Sequence, residues 1–485
     1  MIRYTLLTLV VTFLSLYAYR DWYRSLCGLL VLMAFIERYD MPREMLGITG
    51  LNPWNILMMF ILTAWFLNSG REQLTWDFPK GIRLLLIAFL LVVLIGFIRM
   101  VDDIQAIIEY RSITERGDTD LKTMIIDDLL NTMKYVIPGL LMFHGCNSRS
   151  RLLWGIGACL LTSFLLGIQI VKWMPISDLS NGDALSDRAL RVLDRAIGYH
   201  RVDLAAMMAS ASWAFFISRI VAPNKFWVWA FTAAGCFLIL ALALTGGRAG
   251  YVSWAAIALF LSALRWKKLV LIMPLMIVAV VALVPAARER MLQGFGEPAE
   301  YDAVAFGDGS NNYASITSDR ILIWPSVTRA IGEAPMLGYG RHGYHTSGAS
   351  QEILLLYGEK GAGFPHPHNA YLEFLIDNGL VGSLPVFLLF LIILRQSAAM
   401  FKDKQYPLYA ATGGVALAFV AGQLVASIGA QSFYPRAGVV LMWAAIGLAL
   451  RAYVMWQRDA QSETVAERAA NVPQLAPQFH YNSRG

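Results

Sequence analysis

Thirteen apolar runs of 12–22 residues divide most of this 485-residue chain, and they constrain its fold more than any other feature. A helix of about 20 apolar residues crosses the ~30 Å hydrocarbon core of a bilayer. Only 15% of the residues are charged, against about 25% in soluble domains. We therefore predict an all-α polytopic membrane protein with about 12–13 transmembrane helices. The runs are 4–18, 25–36, 54–67, 84–98, 129–143, 152–173, 202–220, 226–245, 249–264, 269–284, 380–394, 408–428 and 437–452.

Basic residues in the short loops predict how these helices are oriented. Cytoplasmic loops of membrane proteins are enriched in lysine and arginine. The net charge of +6 therefore indicates topology and not a nucleic-acid partner. The first run is predicted to be a retained span. Thirteen spans place the N-terminus outside, and twelve place it inside. The loops assigned to the cytoplasm carry Arg71, Lys80, Arg83, Arg149, Arg151, Arg219, Lys225, Arg265, Lys267, Lys268, Arg395, Lys402 and Lys404.

Three longer segments then fall on the outer side: 99–128, 174–200 and 286–378. The last is the longest and has eleven acidic and six basic residues, a net charge of −5. Helical spacing of apolar residues over 184–197 predicts an amphipathic helix at the outer interface. Residues 1–452 are predicted to form a single transmembrane domain whose large outer loop is 286–378. Residues 453–485 are predicted to be a disordered cytoplasmic tail.

Three arginines occur at predicted outer positions that positive charge usually avoids. Arg201 begins a run, Arg248 lies between glycines where two runs meet, and Arg320 lies in the acidic loop. Guanidinium forks bind phosphate oxygens in a bidentate manner, so converging arginines would suit a diphosphate. The alternatives are snorkelling to lipid headgroups for Arg201 and an ion pair with Asp319 for Arg320.

The exit of the 286–378 loop, His366-Pro367-His368-Asn369-Ala370-Tyr371-Leu372-Glu373, is rich in titratable and aromatic residues. An imidazole with a pKa near 6.5 suits proton abstraction at neutral pH, which makes His368 the preferred general base. Its alternatives are a structural histidine and a metal ligand. The loop histidines match no recognised zinc spacing, so neither a metal nor a cofactor is predicted.

Several neighbouring residues could support this chemistry. Glu373 could orient His368, and tyrosine rings could stack on sugars. The supporting residues predicted are Asn369, Tyr371, Glu373, Tyr339 and Arg436.

Three blocks of residues together resemble the O-antigen ligase and Wzy-type O-antigen polymerase superfamily of bacterial envelope glycosyltransferases. They are Thr245-Gly246-Gly247-Arg248-Ala249-Gly250, then Arg320 to Trp324 with Pro335 to Gly340, and His368 to Glu373 with Asn378 to Gly382. The order of the blocks, and the spacings of 72 residues from Arg248 to Arg320 and 48 from Arg320 to His368, also resemble the ligases. A turn at 431–436 is similar to an outer-face turn of that family. Gly247 departs from the serine that is frequent there.

The resemblance implies a GT-C-like fold in the bacterial inner membrane, with the site facing the periplasm. It implies an undecaprenyl-diphosphate-linked glycan donor, bound by Arg248 and Arg320. Arg201 is predicted to bind the same diphosphate, because it is the third arginine at a predicted outer position. His368 would activate the hydroxyl of a glycan or lipid acceptor in a metal-independent, inverting transfer. Other partners would be the bilayer and, for a polymerase, a chain-length regulator.

Three functions remain open from the sequence. A polysaccharide polymerase is slightly favoured over a ligase that transfers finished glycan to lipid A–core or protein. The third is a transporter of lipid-linked oligosaccharide, which would need charged residues in mid-span positions. Lys134, with Asp127 or Asp128 as its partner, is the main candidate for such a charge.

Overall fold

A computed structural model describes residues 2–42, 44–45, 48–114, 120–283, 285–292, 320–358, 364–431 and 433–470. The described chain is helical apart from a hairpin of two-residue strands, β1 (Glu44–Met45) and β2 (Ile48–Thr49), which pair antiparallel. The all-α prediction is confirmed.

The described residues of the first half form ten α-helices and one π-helix (Ile125–Asn131). The α-helices are α1 (Ile2–Ala18), α2 (Trp22–Ile36), α3 (Pro53–Ser69), α4 (Ile82–Met100), α5 (Ile104–Thr114), α6 (Leu121–Met124), α7 (Thr132–Lys134), α8 (Ile137–Gly145), α9 (Arg149–Trp173) and α10 (Gly182–Ile197). The second half contains α11 (Arg201–Ser218), α12 (Lys225–Thr245), α13 (Arg248–Leu264), α14 (Leu269–Leu283), α15 (Pro285–Leu292), α16 (Arg320–Glu333), α17 (Gly343–Thr346), α18 (Ala349–Tyr357), α19 (Ala370–Lys402), α20 (Pro407–Ala426) and α21 (Val440–Ala470).

Seven stretches of helix in the described chain are long and apolar enough to cross a membrane, so the protein is a multi-pass membrane protein. They are Ile82–Tyr110, Arg149–Trp173, Arg201–Val221, Lys225–Thr245, Ala370–Lys402, Pro407–Ala426 and Ala437–Glu463. Shorter apolar helices, Arg3–Ala18, Trp22–Ile36 and Arg248–Leu264, accompany them. The predicted run 129–143 is shared by the π-helix, α7 and α8, with a break at Tyr135 and Val136. The number of crossings, 12–13, stays a prediction.

Small residues allow the central helices to pack closely. A Cβ on Gly139 would lie 2.4 Å from the Trp443 carbonyl oxygen, and one on Gly447 would lie 1.9 Å from the Gly139 carbonyl oxygen. α8 and α21 therefore meet backbone to backbone, as small residues permit in membrane helices. α11, α20 and the apolar part of α21 are the most buried spans.

Two boundaries predicted from the sequence are wrong. Residues 370–378 belong to α19 and not to a loop, because Asn369 caps the helix and Glu373, Asp377 and Asn378 are buried in it. The predicted disordered tail is helical as far as Ala470; residues 471–485 lie outside the described residues.

The tail residues that were predicted to be disordered are held by side-chain contacts. Arg458 pairs with Asp77, and the Tyr409 hydroxyl donates to Asp459 at 2.7 Å. The amide of Gln405 donates to Glu463 at 2.6 Å. These contacts extend the last span as a helix beyond its apolar residues.

The helix predicted at 184–197 is present as α10, and its apolar face is buried through Leu185, Ala189, Leu193 and Ile197.

Candidate functional site

A glycine-rich segment, 335–343, docks onto a break in α19, and this junction organises the site. Gly379 interrupts the helix with φ 59° and ψ −167°. The freed backbone groups pair with the segment: Tyr339 N–H donates to the Ile376 carbonyl at 2.9 Å and Leu380 N–H to the Pro335 carbonyl at 2.9 Å. A Cβ on Gly379 would lie 2.3 Å from the Met336 carbonyl oxygen, so only glycine fits there. The Gly338-Tyr339-Gly340 motif forms one side of this junction, and the Gly379-Leu380-Val381-Gly382 motif forms the other.

Arg341, at the end of that segment, is the centre of a buried charge network. Its Nη1 donates to Glu373 at 3.0 Å and to Asp377 at 3.2 Å, and its Nη2 donates to Asp128 at 3.3 Å. The guanidinium carbon lies 3.7 Å from the ring centroid of Tyr434. Burial alone would lower the pKa of Arg341, but Asp128 and the other acidic neighbours outweigh it and raise that pKa.

A cavity of about 300 Å³ adjoins this network, and its lining includes His366, His342 and Gln431. We call it the Arg341 cavity. Glu373, predicted to orient His368, instead accepts hydrogen bonds from Arg341 and from Gln431 (3.1 Å). His342 pairs with Asp128 at 2.9 Å. The acids of α19 and the π-helix thus hold Arg341.

His368 lies in the short turn before α19 and has a left-handed backbone with φ 50°. Its N–H donates to Nδ1 of His366 at 3.1 Å, and the two ring centroids are 3.9 Å apart. Trp324 of α16 donates from Nε1 to the Pro367 carbonyl at 3.2 Å. These contacts hold His368 in a conformation that non-glycine residues seldom adopt.

The start of α19 is fixed on both sides of this turn. Asn369 caps the helix by accepting from the N–H groups of Tyr371 at 3.0 Å and Leu372 at 3.3 Å. The Tyr371 hydroxyl donates to the Leu424 carbonyl at 2.9 Å. Tyr339, another predicted supporting residue, donates from its hydroxyl to Glu333 at 3.4 Å. Asn369 and Tyr371 therefore anchor the turn that presents His368.

Arg320 is the first residue of α16 and lies beside His368. Its Nη2 donates to the Gly429 carbonyl at 3.2 Å, and burial lowers the pKa of the guanidinium. Burial, the Arg320 charge and His200 together lower the pKa of His368 to about 4. His368 is therefore neutral at neutral pH, with its ring able to accept a proton. Asp319, the alternative partner of Arg320, lies outside the described residues.

The start of α11 brings further basic residues to the same place. His200 caps this helix by accepting from the Val202 N–H, and it acts electrostatically on both His366 and His368. Burial, followed by His368 and Arg436, lowers the pKa of His366 well below its ordinary value. Arg436 donates to Asp203 at 2.8 Å, and Arg201 donates to the Ser186 hydroxyl at 2.6 Å. The structure thus ties Arg201 to α10 and Arg436 to α11.

Arg248 begins α13 immediately after a tight turn. Gly246 ends α12 with φ 61°. A Cβ on Gly247 would lie 2.7 Å from Ala205 Cβ and 3.5 Å from the Arg201 carbonyl oxygen. The glycines therefore seat the start of α13 directly against the first turn of α11, next to Arg201.

His200 at the start of α11 and Arg320 of α16 both act electrostatically on His368, which lies just before α19. We call Arg320, His200 and the turn that carries His368 the electropositive corner, because the Arg320 guanidinium favours anions.

Sequence reasoning missed Arg341 and His200 and gave His366 no role. Arg341 follows directly on the Gly338-Tyr339-Gly340 motif, and that position was the available signal. His200 and His366 precede Arg201 and His368 by one and two residues, but no spacing indicates that the two histidines meet.

Known proteins match the central part of this chain. The family described as O-Antigen ligase matches residues 233–387. This match, which we call the ligase domain, covers about a third of the chain. The superfamily predicted from the three motif blocks is thereby confirmed. Arg248, Arg320, Arg341 and His368 all lie inside the ligase domain, whereas Asp128, His200, Arg201 and Arg436 contribute from outside it.

A protein of Haemophilus influenzae, described as uncharacterized, is 25% identical over 158 residues. The match covers 32% of this chain and 39% of that protein. The likeness is thus limited to less than half of either chain.

Proposed function

We propose that the protein is a glycosyltransferase that moves a glycan from undecaprenyl diphosphate to an acceptor hydroxyl at the periplasmic face of the bacterial inner membrane. The observation that carries the proposal is the pair formed by Arg320 and His368 inside the ligase domain. One residue supplies fixed positive charge and the other a neutral imidazole, and both belong to the electropositive corner.

The chemistry of the donor explains why so few groups suffice. A diphosphate is already a good leaving group, so the protein needs to position it and to stabilise its charge. Arg320 does so, and Arg248 joins from the start of α13. Arg201 and Arg436 border the same corner, each held by a neighbour. His368 takes the proton of the acceptor hydroxyl. Transfer then proceeds without a metal and with inversion at the anomeric carbon.

Alanine variants of Arg248, Arg320 and His368 test the assignment in membranes of a deletion strain. Each is expected to lower glycan transfer by about 10²–10⁴-fold, as removal of a general base or of a charge stabiliser does. Arg329→Ala is the matched control, since Arg329 lies on α16 and pairs with Glu352 away from the site. Normal product from all three variants at normal expression would overturn the assignment. Loss of activity in EDTA that zinc or magnesium restores would overturn the metal-independent mechanism.

The polymerase and ligase reactions share this donor site and differ in the acceptor. A polysaccharide polymerase is the first choice, because the polar sequence from 286 to 369 is long enough to accompany a growing chain. The deletion strain separates the two. Single lipid-linked repeats would accumulate without a polymerase, whereas long lipid-linked polymers and an unmodified acceptor would accumulate without a ligase.

A transporter of lipid-linked oligosaccharide is disfavoured by the placement of the charged residues. Arg341 pairs with Asp128 and with Glu373 and Asp377 of α19, so these charges neutralise one another and do not form a path through the spans. Lys134 lies against aromatic rings and interacts with Glu37 and Asp127. Flipping of fluorescent lipid-linked oligosaccharide across proteoliposomes by the protein alone would favour transport.

A further inference from the structure

A second cavity lies on the other side of the π-helix from the Arg341 cavity. It has a volume of about 440 Å³, within the ~300–1,000 Å³ range of small-molecule sites. The end of α2, the start of α3 and the π-helix line it with Glu37, Trp54, Asn55, Asp127, Asn131 and Lys134. We call it the Trp54 pocket.

One wall of the Trp54 pocket is aromatic. The rings of Trp54 and Tyr135 meet edge to face, with centroids 5.7 Å apart. Lys134 places Nζ 4.9 Å from each of these ring centroids. Trp54 is only 4% exposed, and its buried Nε1 has no hydrogen-bond partner among the described residues. The indole nitrogen is shielded from the pocket, so the aromatic rings and not this N–H supply the wall.

The other wall is polar and balanced in charge. Asp127 is exposed and accepts a hydrogen bond from the Asn131 amide at 2.9 Å. Glu37 and Asp127 both act electrostatically on Lys134. Among the described residues, the lining holds two acids and two bases, the second base being Arg38. A phosphate site would have excess positive charge, whereas carboxylate, amide and amine beside an aromatic ring suit hydroxyl groups and the C–H face of a sugar.

The π-helix joins this pocket to the Arg341 cavity. Asp127 lines the Trp54 pocket, and the next residue, Asp128, holds Arg341 and His342 in the Arg341 cavity. π-Helical turns occur mostly at functional sites, because the extra residue redirects side chains. Here the turn sends consecutive carboxylates to two cavities.

A second link runs through the turn before α11. A Cβ on Gly198 would lie 1.9 Å from the Glu37 carbonyl oxygen, so the end of α2 packs against the turn that carries His200. His368 has Arg320 and His200 as electrostatic neighbours, while His366 lines the Arg341 cavity with Asp128. The Trp54 pocket is thus connected to the surroundings of His368 by the π-helix and by the turn that carries His200.

We propose that the Trp54 pocket binds a sugar unit of the acceptor glycan, at a distance from the hydroxyl that reacts. The proposal rests on the proposed function, because inversion requires the acceptor to approach from the side opposite the diphosphate. In the proposed reaction Arg320 holds the diphosphate, and the Trp54 pocket is lined by other residues that reach the site through the π-helix.

The test compares Asp127→Asn with Asp103→Asn in the full-length protein in nanodiscs. Both residues are exposed acids between α4 and α7, and only Asp127 lines the pocket. The probes are the lipid-linked donor and the acceptor glycan extracted from the deletion strain. Asp127→Asn is expected to raise the KM for acceptor about tenfold, the effect of losing a hydrogen bond to a charged group. The KM for donor and kcat should stay unchanged, and Asp103→Asn should behave like wild type.

Direct binding of the acceptor glycan, measured without donor, separates this proposal from the proposed function. Asp127→Asn and Trp54→Phe should weaken binding, whereas Arg320→Ala should not. Trp54→Phe keeps an aromatic ring but shortens the apolar surface that a sugar would contact. Unchanged acceptor binding in both pocket variants, or a rise in the KM for donor instead, would overturn the acceptor pocket. A wild-type protein that binds acceptor but transfers nothing would overturn the glycosyltransferase function alone.

Discussion

The backbone of His368 occupies the left-handed region, and its neighbours hold it there. His366 accepts its N–H, Trp324 fixes the peptide before it, and Asn369 starts the helix after it. Such a conformation costs of order 1–3 kcal/mol and persists only where surrounding contacts maintain it. His366 is therefore a positioning residue for His368, the proposed base.

Arg320 should control the pH at which His368 works. Burial, Arg320 and His200 lower the pKa of His368 to about 4, so the free wild-type protein should keep a neutral imidazole down to that pH. Arg320→Gln removes one cause, so the pKa should rise towards about 6.5. The acidic limb of the pH profile of kcat/KM for acceptor should therefore move to higher pH, since only a neutral imidazole accepts a proton.

Arg329→Gln, on the same helix, is the control for that shift. An acidic limb at the same pH in wild type and Arg320→Gln would contradict the role of His368 as the base.

At the scale of elements, the break at Gly379 allows a loop and a helix to act as one unit. The backbone groups of residues 376–381 that the break frees form hydrogen bonds with the backbone of the segment 335–343. Arg99 of α4 adds a hydrogen bond from Nη2 to the Gly338 carbonyl at 2.6 Å. The junction carries Arg341 to its acidic partners.

Gly379→Ala should undo this junction. The new Cβ would meet the Met336 carbonyl oxygen at 2.3 Å in a positive-φ conformation, and we expect the free energy of unfolding to fall by about 1–3 kcal/mol. Thermal unfolding of the purified protein measures the loss. Gly157→Ala is the control, since that glycine lies in α9 with nothing within 4 Å of its added Cβ. Equal melting temperatures for the two variants would contradict the packing at the break.

Arg341 joins three elements, so its removal should cost more than that of a surface arginine. Arg341→Ala leaves Asp128, Glu373 and Asp377 with an uncompensated buried charge, and breaking such a pair costs about 3–5 kcal/mol. Thermal unfolding should show a large decrease, partly restored by adding Glu373→Gln. Arg329→Ala, whose ion pair is exposed, should change stability by about 1 kcal/mol or less. A small effect of Arg341→Ala, or no recovery in the double variant, would argue against the network.

At the scale of the whole molecule, the orientation in the membrane follows from charge. Leu355→Cys, at a residue that is 86% exposed on α18, should react with a membrane-impermeant maleimide in intact cells. Lys268→Cys, in the short loop before α14, should react only after permeabilisation. Both are made with Cys236→Ser, because Cys236 is exposed while the other three cysteines are buried. The reverse pattern would invert the topology.

Much of the protein could be predicted from local sequence. The helical bundle follows from apolar runs, and the pair of Arg320 and His368 was chosen because their types suit phosphate and proton transfer. The tail from 453 to 470 was mispredicted because side-chain contacts with distant loops, such as Arg458 with Asp77, decide whether a polar helix persists. The Arg341 network was not predicted for the same reason, since its partner Asp128 precedes Arg341 by 213 residues.

The sequence by itself determined that the chain crosses a membrane, because apolar side chains must leave water whatever their partners are. It also determined which residue types could handle a diphosphate and a proton. Only the tertiary structure decided which of them meet. It made Arg320 and His200 electrostatic neighbours of His368, paired Glu373 with Arg341, and set Asp127 and Asp128 in different cavities. Such meetings depend on packing between segments hundreds of residues apart, and no local periodicity records them.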